Sequence, residues 1–351
     1  MRTAITIGGA ASGRGGDFEP VAAFAVEAEK LGVDAAWSAE AWGQDGVAPL
    51  AFIAARTTKL LLGTGILQIS ARTPSMTAMT ALTLAALSKN RFLLGLGASG
   101  PQVVEGLQGQ SFARPLRRMR ETVEIVRMAF RGEKLEYAGE IHRLPRPGGE
   151  GKALRLALPP NPQLPIYLAT LSPKMLELTG ELADGWLGTS FTPEHAGAHL
   201  QHLRRGAERA GRSFAQLEIC VQAGVGFAQD PEPLIKARKP QLAFTLGAMG
   251  SPTTNFYNEA YRRGGFADAA AEVQRLWIEG KREEAARRVP DEMVVQSSLL
   301  GTEDMVRDRL RAYRRAGVGM LVLGPIAEGV AQRLDTLGRA VELVREVSAA
   351  A

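Results

Sequence analysis

The chain has 351 residues, 45% hydrophobic and 23% charged, with 42 Lys and Arg against 37 Asp and Glu for a net charge of +5. That length buries a full core as one large α/β barrel or as two smaller domains. The cations are scattered through helices, as in Arg117-Arg118-Met119-Arg120 and Arg204-Arg205, with no basic stripe interleaved with aromatics, which argues against a nucleic-acid partner.

Strand and helix patterns alternate from the start. Ala4–Ile7 reads as a strand, so the first residues are not a signal peptide. Asp17 caps a helix with Val21, Phe24, Ala25, Ala28 and Leu31 on one face, and Gly32 ends it. Val33–Trp37 is the next strand, Val47–Thr57 a helix and Lys59–Ile66 a third strand. Pro74–Leu87 is helical with proline in its first turn, Phe92–Leu96 is the fourth strand and Leu116–Phe130 a long amphipathic helix. Residues 133–162, with Arg-Leu-Pro-Arg-Pro-Gly-Gly and Leu-Pro-Pro-Asn-Pro, read as an excursion or hairpin. The alternation resumes with strand Ile166–Ala169, helix Pro173–Leu182, strand Gly185–Gly188 and helix Pro193–Ala210. Leu217–Phe227 is the seventh strand, and its one cysteine, Cys220, reads as a buried, inert thiol. A lone cysteine forms no intrachain disulfide and fits a reducing, cytoplasmic setting. A mixed region, 231–291, follows, with helix at Ala267–Glu279. Thr302 then caps a helix ending at Gly317, Met320–Leu323 is the eighth strand and Val330–Val347 the closing helix. No apolar run is long enough to span a bilayer.

Eight strands, each followed by helical sequence, predict a single (β/α)8 TIM barrel over 1–351 with insertions at about 133–162 and 250–291. Leu31-Gly32-Val33-Asp34 and Ala316-Gly317-Val318-Gly319 read as one helix-to-strand turn used twice. The competing fold is a doubly wound dinucleotide-binding sheet, because Gly95-Leu96-Gly97-Ala98-Ser99-Gly100 matches Gly-x-Gly-x-x-Gly. That fingerprint belongs on a first strand opening a helix; here it ends the fourth strand and runs into Gly100-Pro101, Gly106 and Gly109.

A barrel's site lies at the C-terminal ends of its strands. After strand two comes Ser38-Ala39-Glu40-Ala41-Trp42-Gly43, and after strand three Gly65-Ile66-Leu67-Gln68-Ile69-Ser70-Ala71-Arg72. Strand four is followed by Gly97-Ala98-Ser99-Gly100, whose bare amides approach a phosphate or flat ring closely. Strand five is followed by Ala169-Thr170-Leu171-Ser172 at a helix start, a common anion site. Glu40 is the only carboxylate directly after any of these strands. It is a candidate acid/base or cofactor contact, or else the partner of Arg72. Trp42 is a ring wall or ordinary packing. His195, His199 and His202 share a helical face with Glu194 beside them, but in the body of an outer helix, which favours a solvated face over a metal site. In the second insertion, Asn255, Tyr257, Tyr261, Arg262 and Arg263 are candidate substrate contacts.

Several segments together resemble the bacterial-luciferase-like superfamily, in its branch using the deazaflavin coenzyme F-420. They are Trp37-Ser-Ala-Glu-Ala-Trp-Gly43, Leu62-Gly-Thr-Gly-Ile-Leu-Gln-Ile-Ser-Ala-Arg-Thr-Pro74, Arg91-Phe-Leu-Leu-Gly-Leu-Gly-Ala-Ser-Gly-Pro-Gln-Val-Val-Glu-Gly106, Asp184-Gly-Trp186 and Leu300-Gly-Thr-Glu-Asp304 with Ala316-Gly-Val318. The resemblance covers nearly the whole chain. It implies an oxidoreductase that transfers a hydride between the deazaflavin and a small organic substrate at the barrel mouth, working as a homodimer or higher homo-oligomer. It also implies a non-prolyl cis peptide at Gly65–Ile66 against the ring, an acidic cofactor contact at Glu40, and contacts from Gln68, Gly97, Ala98, Ser99, Gly100, Ala169, Thr170, Leu171 and Ser172, with no metal. Glu40 and Trp42 are the expected catalytic side chains. There are two departures: Ala41 stands where many relatives carry His, and Thr170-Leu171-Ser172-Pro173 stands where glycines are common. These keep two alternatives open, an FMN-dependent monooxygenase or reductase and a non-catalytic flavin-binding barrel.

Overall fold

The computed structural model describes residues 1–8, 17–251 and 253–350. Its strands are β1 Arg2–Ile7, β2 Ala35–Ser38, β3 Leu61–Thr64, β4 Leu67–Gln68, β5 Phe92–Gly97, β6 Tyr137–Ala138, β7 Arg143–Leu144, β8 Ile166–Ala169, β9 Gly185–Gly188, β10 Glu218–Phe227, β11 Ser298–Gly301 and β12 Met320–Pro325. Parallel pairing runs β1-β2-β3-β5-β8-β9-β10-β12, and β12 pairs back with β1 through Arg2 and Met320, closing an eight-position barrel. Such strands are covered on both faces, so they read as continuous apolar runs; every residue of β5 is buried.

The helices begin and end where local chemistry dictates. Thr73 accepts from the Met76 N–H at 3.3 Å ahead of Pro74–Leu87, and Thr302 caps Glu303–Arg315 in the same way. Gly32 and Gly317 both stand at φ +85°, the left-handed conformation that makes their turns equivalent. The barrel interior packs Ala4, Ala35, Trp37, Leu93, Tyr167, Cys220, Met320 and Val322, and a larger core joins strands to outer helices. Glu218 seals the bottom, bonded to Arg2 and to the Tyr167 hydroxyl at 2.5 Å.

The expected third strand, Lys59–Ile66, is two pieces. The Gly65–Ile66 peptide is cis, and β4 beyond it pairs with the end of β5. Gln102–Leu107, after β5, is π-helical. The first excursion is a β6–β7 hairpin, and Glu121, fully buried, holds it by accepting from the N–H groups of Glu140, Ile141 and His142. Pro193–Ala210 divides into a short turn, Pro193–His195, and the helix Gly197–Arg209.

The largest departure is in the second insertion. It begins well before residue 250, with helices Glu232–Ala248, Phe256–Tyr261, Ala267–Ile278, Arg282–Arg288 and Asp291–Gln296 around their own core of Leu246, Val273, Leu276 and Met293. It closes with β11, which had no counterpart in the sequence reading. β10 is ten residues long. Its lower half pairs with β9 through Val221, and from Gly224 onward β11 takes that edge. The insertion is therefore stitched into the barrel wall.

Candidate active site

A cavity of about 630 Å³ opens at the C-terminal ends of the strands. Small residues border it, Ala39, Gly65, Ala169, Gly188, Gly224 and Gly324, so flat groups can approach the backbone. Apolar walls come from Trp37, Ile66, Leu187 and Phe191. Trp37 is fixed edge-on to Tyr167, with ring centroids 5.2 Å apart. Three buried polar atoms of its lining residues lack partners among the described residues: Trp37 Nε1, Ser190 Oγ and Arg238 Nε.

The insertion roofs the cavity with Arg238, Gln241, Leu242, Thr245, Met249, Tyr257 and Tyr261. Arg238 is the sole charged lining residue among the described residues; no carboxylate or histidine borders the space. Burial pushes the Tyr257 and Tyr261 hydroxyls up, so both stay protonated and able to donate. Cys220 forms part of the floor, and burial pushes its thiol up too, which keeps it from acting as a thiolate.

Of the residues expected to hold a cofactor, Gly65, Ile66 and Ala169 line the cavity. Glu40 does not. Its carboxylate receives Arg72 at 2.5 Å and the Gly46 N–H at 3.1 Å, which folds the loop after β2 onto the segment after β4. Gln68 is part of the same clamp, donating to the Glu40 carbonyl at 2.9 Å and accepting from Gln108, which in turn accepts from Ser70 at 2.8 Å. Trp42 is 63% exposed and walls nothing. Gly97–Gly100 and Thr170–Ser172 flank the mouth on neighbouring strand ends. Thr170 is buried, bonded to Thr179 at 2.7 Å, and its carbonyl accepts from Trp186 Nε1.

A match to the family of luciferase-like monooxygenases spans residues 3–320. The chain belongs to that family. A putative coenzyme F420-dependent oxidoreductase of Mycobacterium tuberculosis is 41% identical over 322 residues, 90% of this chain and 92% of that one. A 5,10-methylenetetrahydromethanopterin reductase of Archaeoglobus fulgidus is 28% identical over 90% of this chain and 92% of its own. Among solved structures, the coenzyme F420-dependent tetrahydromethanopterin reductase of Methanopyrus kandleri superposes with a TM-score of 0.79 at 22% identity, over 97% of this chain and 98% of that one.

Among the insertion candidates of this family member, Tyr257 and Tyr261 face the cavity. Asn255 instead caps its helix and donates to the Leu246 carbonyl, Arg262 is exposed, and Arg263 ties the insertion to β8's loop through the Leu171 carbonyl at 2.7 Å. The sequence reading missed Arg238, Gln241 and Thr245. Their spacing over one helical face was the available signal. The histidines also correct an expectation. His199 is 1% exposed, not on a solvated face, and packs on Trp186 and Phe191. No group of three His, Cys, Asp or Glu is placed to hold a metal among the described residues. No helix there is long and apolar enough to cross a membrane.

Proposed function

We propose that the protein is a coenzyme F420-dependent oxidoreductase acting on a small organic substrate in the barrel-mouth cavity. The observation that carries this is a slot bordered by the small residues Ala39, Gly65 and Ala169, facing the apolar walls of Ile66, Trp37, Leu187 and Phe191, on a chain 41% identical to a putative F420-dependent oxidoreductase. The residues fit a flat ring with polar edges: Ala39, Gly65 and Ala169 leave room for it, Ile66 offers it an apolar surface, and Trp37 Nε1 and Ser190 Oγ have no partner among the described residues. When bound, the deazaflavin supplies a hydride donor or acceptor with little oxygen chemistry. Gly65, Ile66, Ala39 and Ala169 would lie against the ring. Gly97–Gly100 and Ser172, at the start of Pro173–Leu182, would meet the anionic tail with backbone N–H groups. Trp37, Leu187 and Phe191 keep water from the reacting face, and the roof positions the substrate. Glu40 acts as a positioning residue through Arg72 and Gly46.

Titration of the purified protein with F420 and with FMN, followed by fluorescence, tests this reading. Saturable binding of F420 at least about tenfold tighter than FMN is the expected result. Tighter FMN binding, with oxygen consumed when reduced FMN is supplied, would replace it with a monooxygenase. Tight F420 binding without turnover across alcohols, aldehydes and enones would leave a cofactor-binding barrel.

A further inference from the structure

Arg238 is the sole charged residue bordering the cavity among the described residues, and the fold makes no use of its charge. It lies on Glu232–Ala248, the first helix after β10, and reaches back over the strand it follows. A Cβ built on Gly224 would stand 3.1 Å from both Cζ and Nε of Arg238, so glycine there leaves the guanidinium room to lie on the strand backbone. Among the described residues the guanidinium makes no ion pair or hydrogen bond, and its Nε is buried without a partner. Structural arginines of this barrel look different. Arg91 donates to the carbonyls of Ser88, Leu60, Ala54 and Thr57. Arg2 is matched by Glu218. Burial disfavours the charge on Arg238, with only the Tyr261 and Tyr313 hydroxyls acting in its favour. The residue is partly buried, so water meets part of the charge and a ligand in the cavity would complete its shell.

We propose that Arg238 is the specificity anchor for a carboxylate on the substrate, with Gln241 and the Tyr257 and Tyr261 hydroxyls as neighbouring donors. Its planar fork suits a bidentate grip on a carboxylate. The barrel order sets β10, under Arg238, four positions from β3, which ends at Gly65–Ile66. The anchor and the proposed ring slot therefore lie on opposite walls, with the substrate's reacting carbon between them. This placement rests on the deazaflavin reading; the anion preference of Arg238 does not.

The test uses benzoate and benzamide, alike in shape and different in charge, titrated by saturation-transfer NMR into the protein without cofactor and again with oxidised F420 bound. Wild type is expected to bind benzoate at least about tenfold tighter than benzamide. Arg238→Met abolishes that preference, leaves benzamide unchanged and keeps or raises the melting temperature, because an unmatched cation is gone. Gly224→Ala, which crowds the guanidinium, weakens benzoate several-fold with the charge retained. Equal binding of the two probes by wild type, or a benzoate preference surviving in Arg238→Met, would overturn the proposal. A loss of F420 affinity in Arg238→Met, with benzoate binding intact, would assign the residue to the cofactor's phosphate instead. Failure of wild type to bind F420 sinks the cofactor reading and leaves the cofactor-free benzoate comparison standing.

Discussion

Glu40 is the residue where two roles give opposite results. Its side chain is 11% exposed and that of Arg72 is 20% exposed, so their 2.5 Å pair is neither fully buried nor a surface contact. Breaking a fully buried pair costs about 3–5 kcal/mol, and an exposed pair contributes about 0–1 kcal/mol. Glu40→Ala also deprives the Gly46 N–H of its acceptor, so a loss of about 2 kcal/mol in urea unfolding is expected. Arg72→Ala loses a similar amount. The double variant falls short of the sum by about 1–2 kcal/mol, the coupling of residues in direct contact. Function should follow the loop. Ala39 borders the cavity and adjoins Glu40, so both single variants are expected to weaken F420 binding to a similar extent, about tenfold, as read by fluorescence titration. The reasoning fails if Glu40→Gln loses more than about a hundredfold in turnover while Arg72→Ala keeps wild-type turnover and stability. That pattern means the carboxylate acts on the reacting atoms.

Other outcomes follow from the same structure. The His199 ring is held down from its ordinary 6.5 to about 4 by burial, then by Arg263 and His202. It is neutral in the fold but protonated in the unfolded chain below pH 6.5, so it removes stability as pH falls from 6.5 toward about 4, by up to about 3 kcal/mol. His199→Phe should flatten that part of the curve of melting temperature against pH; a parallel curve would show that the acid loss lies elsewhere. A Cβ on Gly65 would stand 3.2 Å from Trp37 Cβ, a crowding that a small shift relieves. Gly65→Val is therefore expected to cost about 1–2 kcal/mol of stability but more than tenfold in F420 affinity, and equal losses in both would contradict the slot's placement. We also propose a homo-oligomer through Pro74–Leu87. That helix has no charged residue, and it leaves Met76, Met79 and Leu87 49, 41 and 59% exposed. Met79→Lys with Leu87→Lys should halve the mass measured by light scattering or reduce it further; an unchanged mass refutes that face.

The local code made most of the barrel legible. Continuous apolar runs marked the eight wall strands, Pro74 and Thr302 marked helix starts, and Gly32 and Gly317 marked the same left-handed turn. The cis bond at Gly65–Ile66 stands where resemblance to the family placed it. What escaped was set by partners distant in sequence. β11 is four residues long, and only the free upper edge of β10 makes it a strand. His199 looked like one of three histidines on a polar face, and its burial comes from Trp186 and Phe191 across the helix–sheet boundary.

The site divides along the same line. Sequence by itself determined which loops meet at the mouth, because strand order dictates which C-terminal ends are neighbours, and of the twelve cofactor contacts that the resemblance implied, Gly65, Ile66 and Ala169 border the cavity. Two things belonged to the tertiary structure alone. It placed Glu40 in the pair with Arg72, one of the two roles the sequence left open for it, since an ion pair depends on where two loops fold. It also brought Arg238 from an unremarked helix into the cavity, because a charged side chain's role depends on the partners the fold does or does not supply.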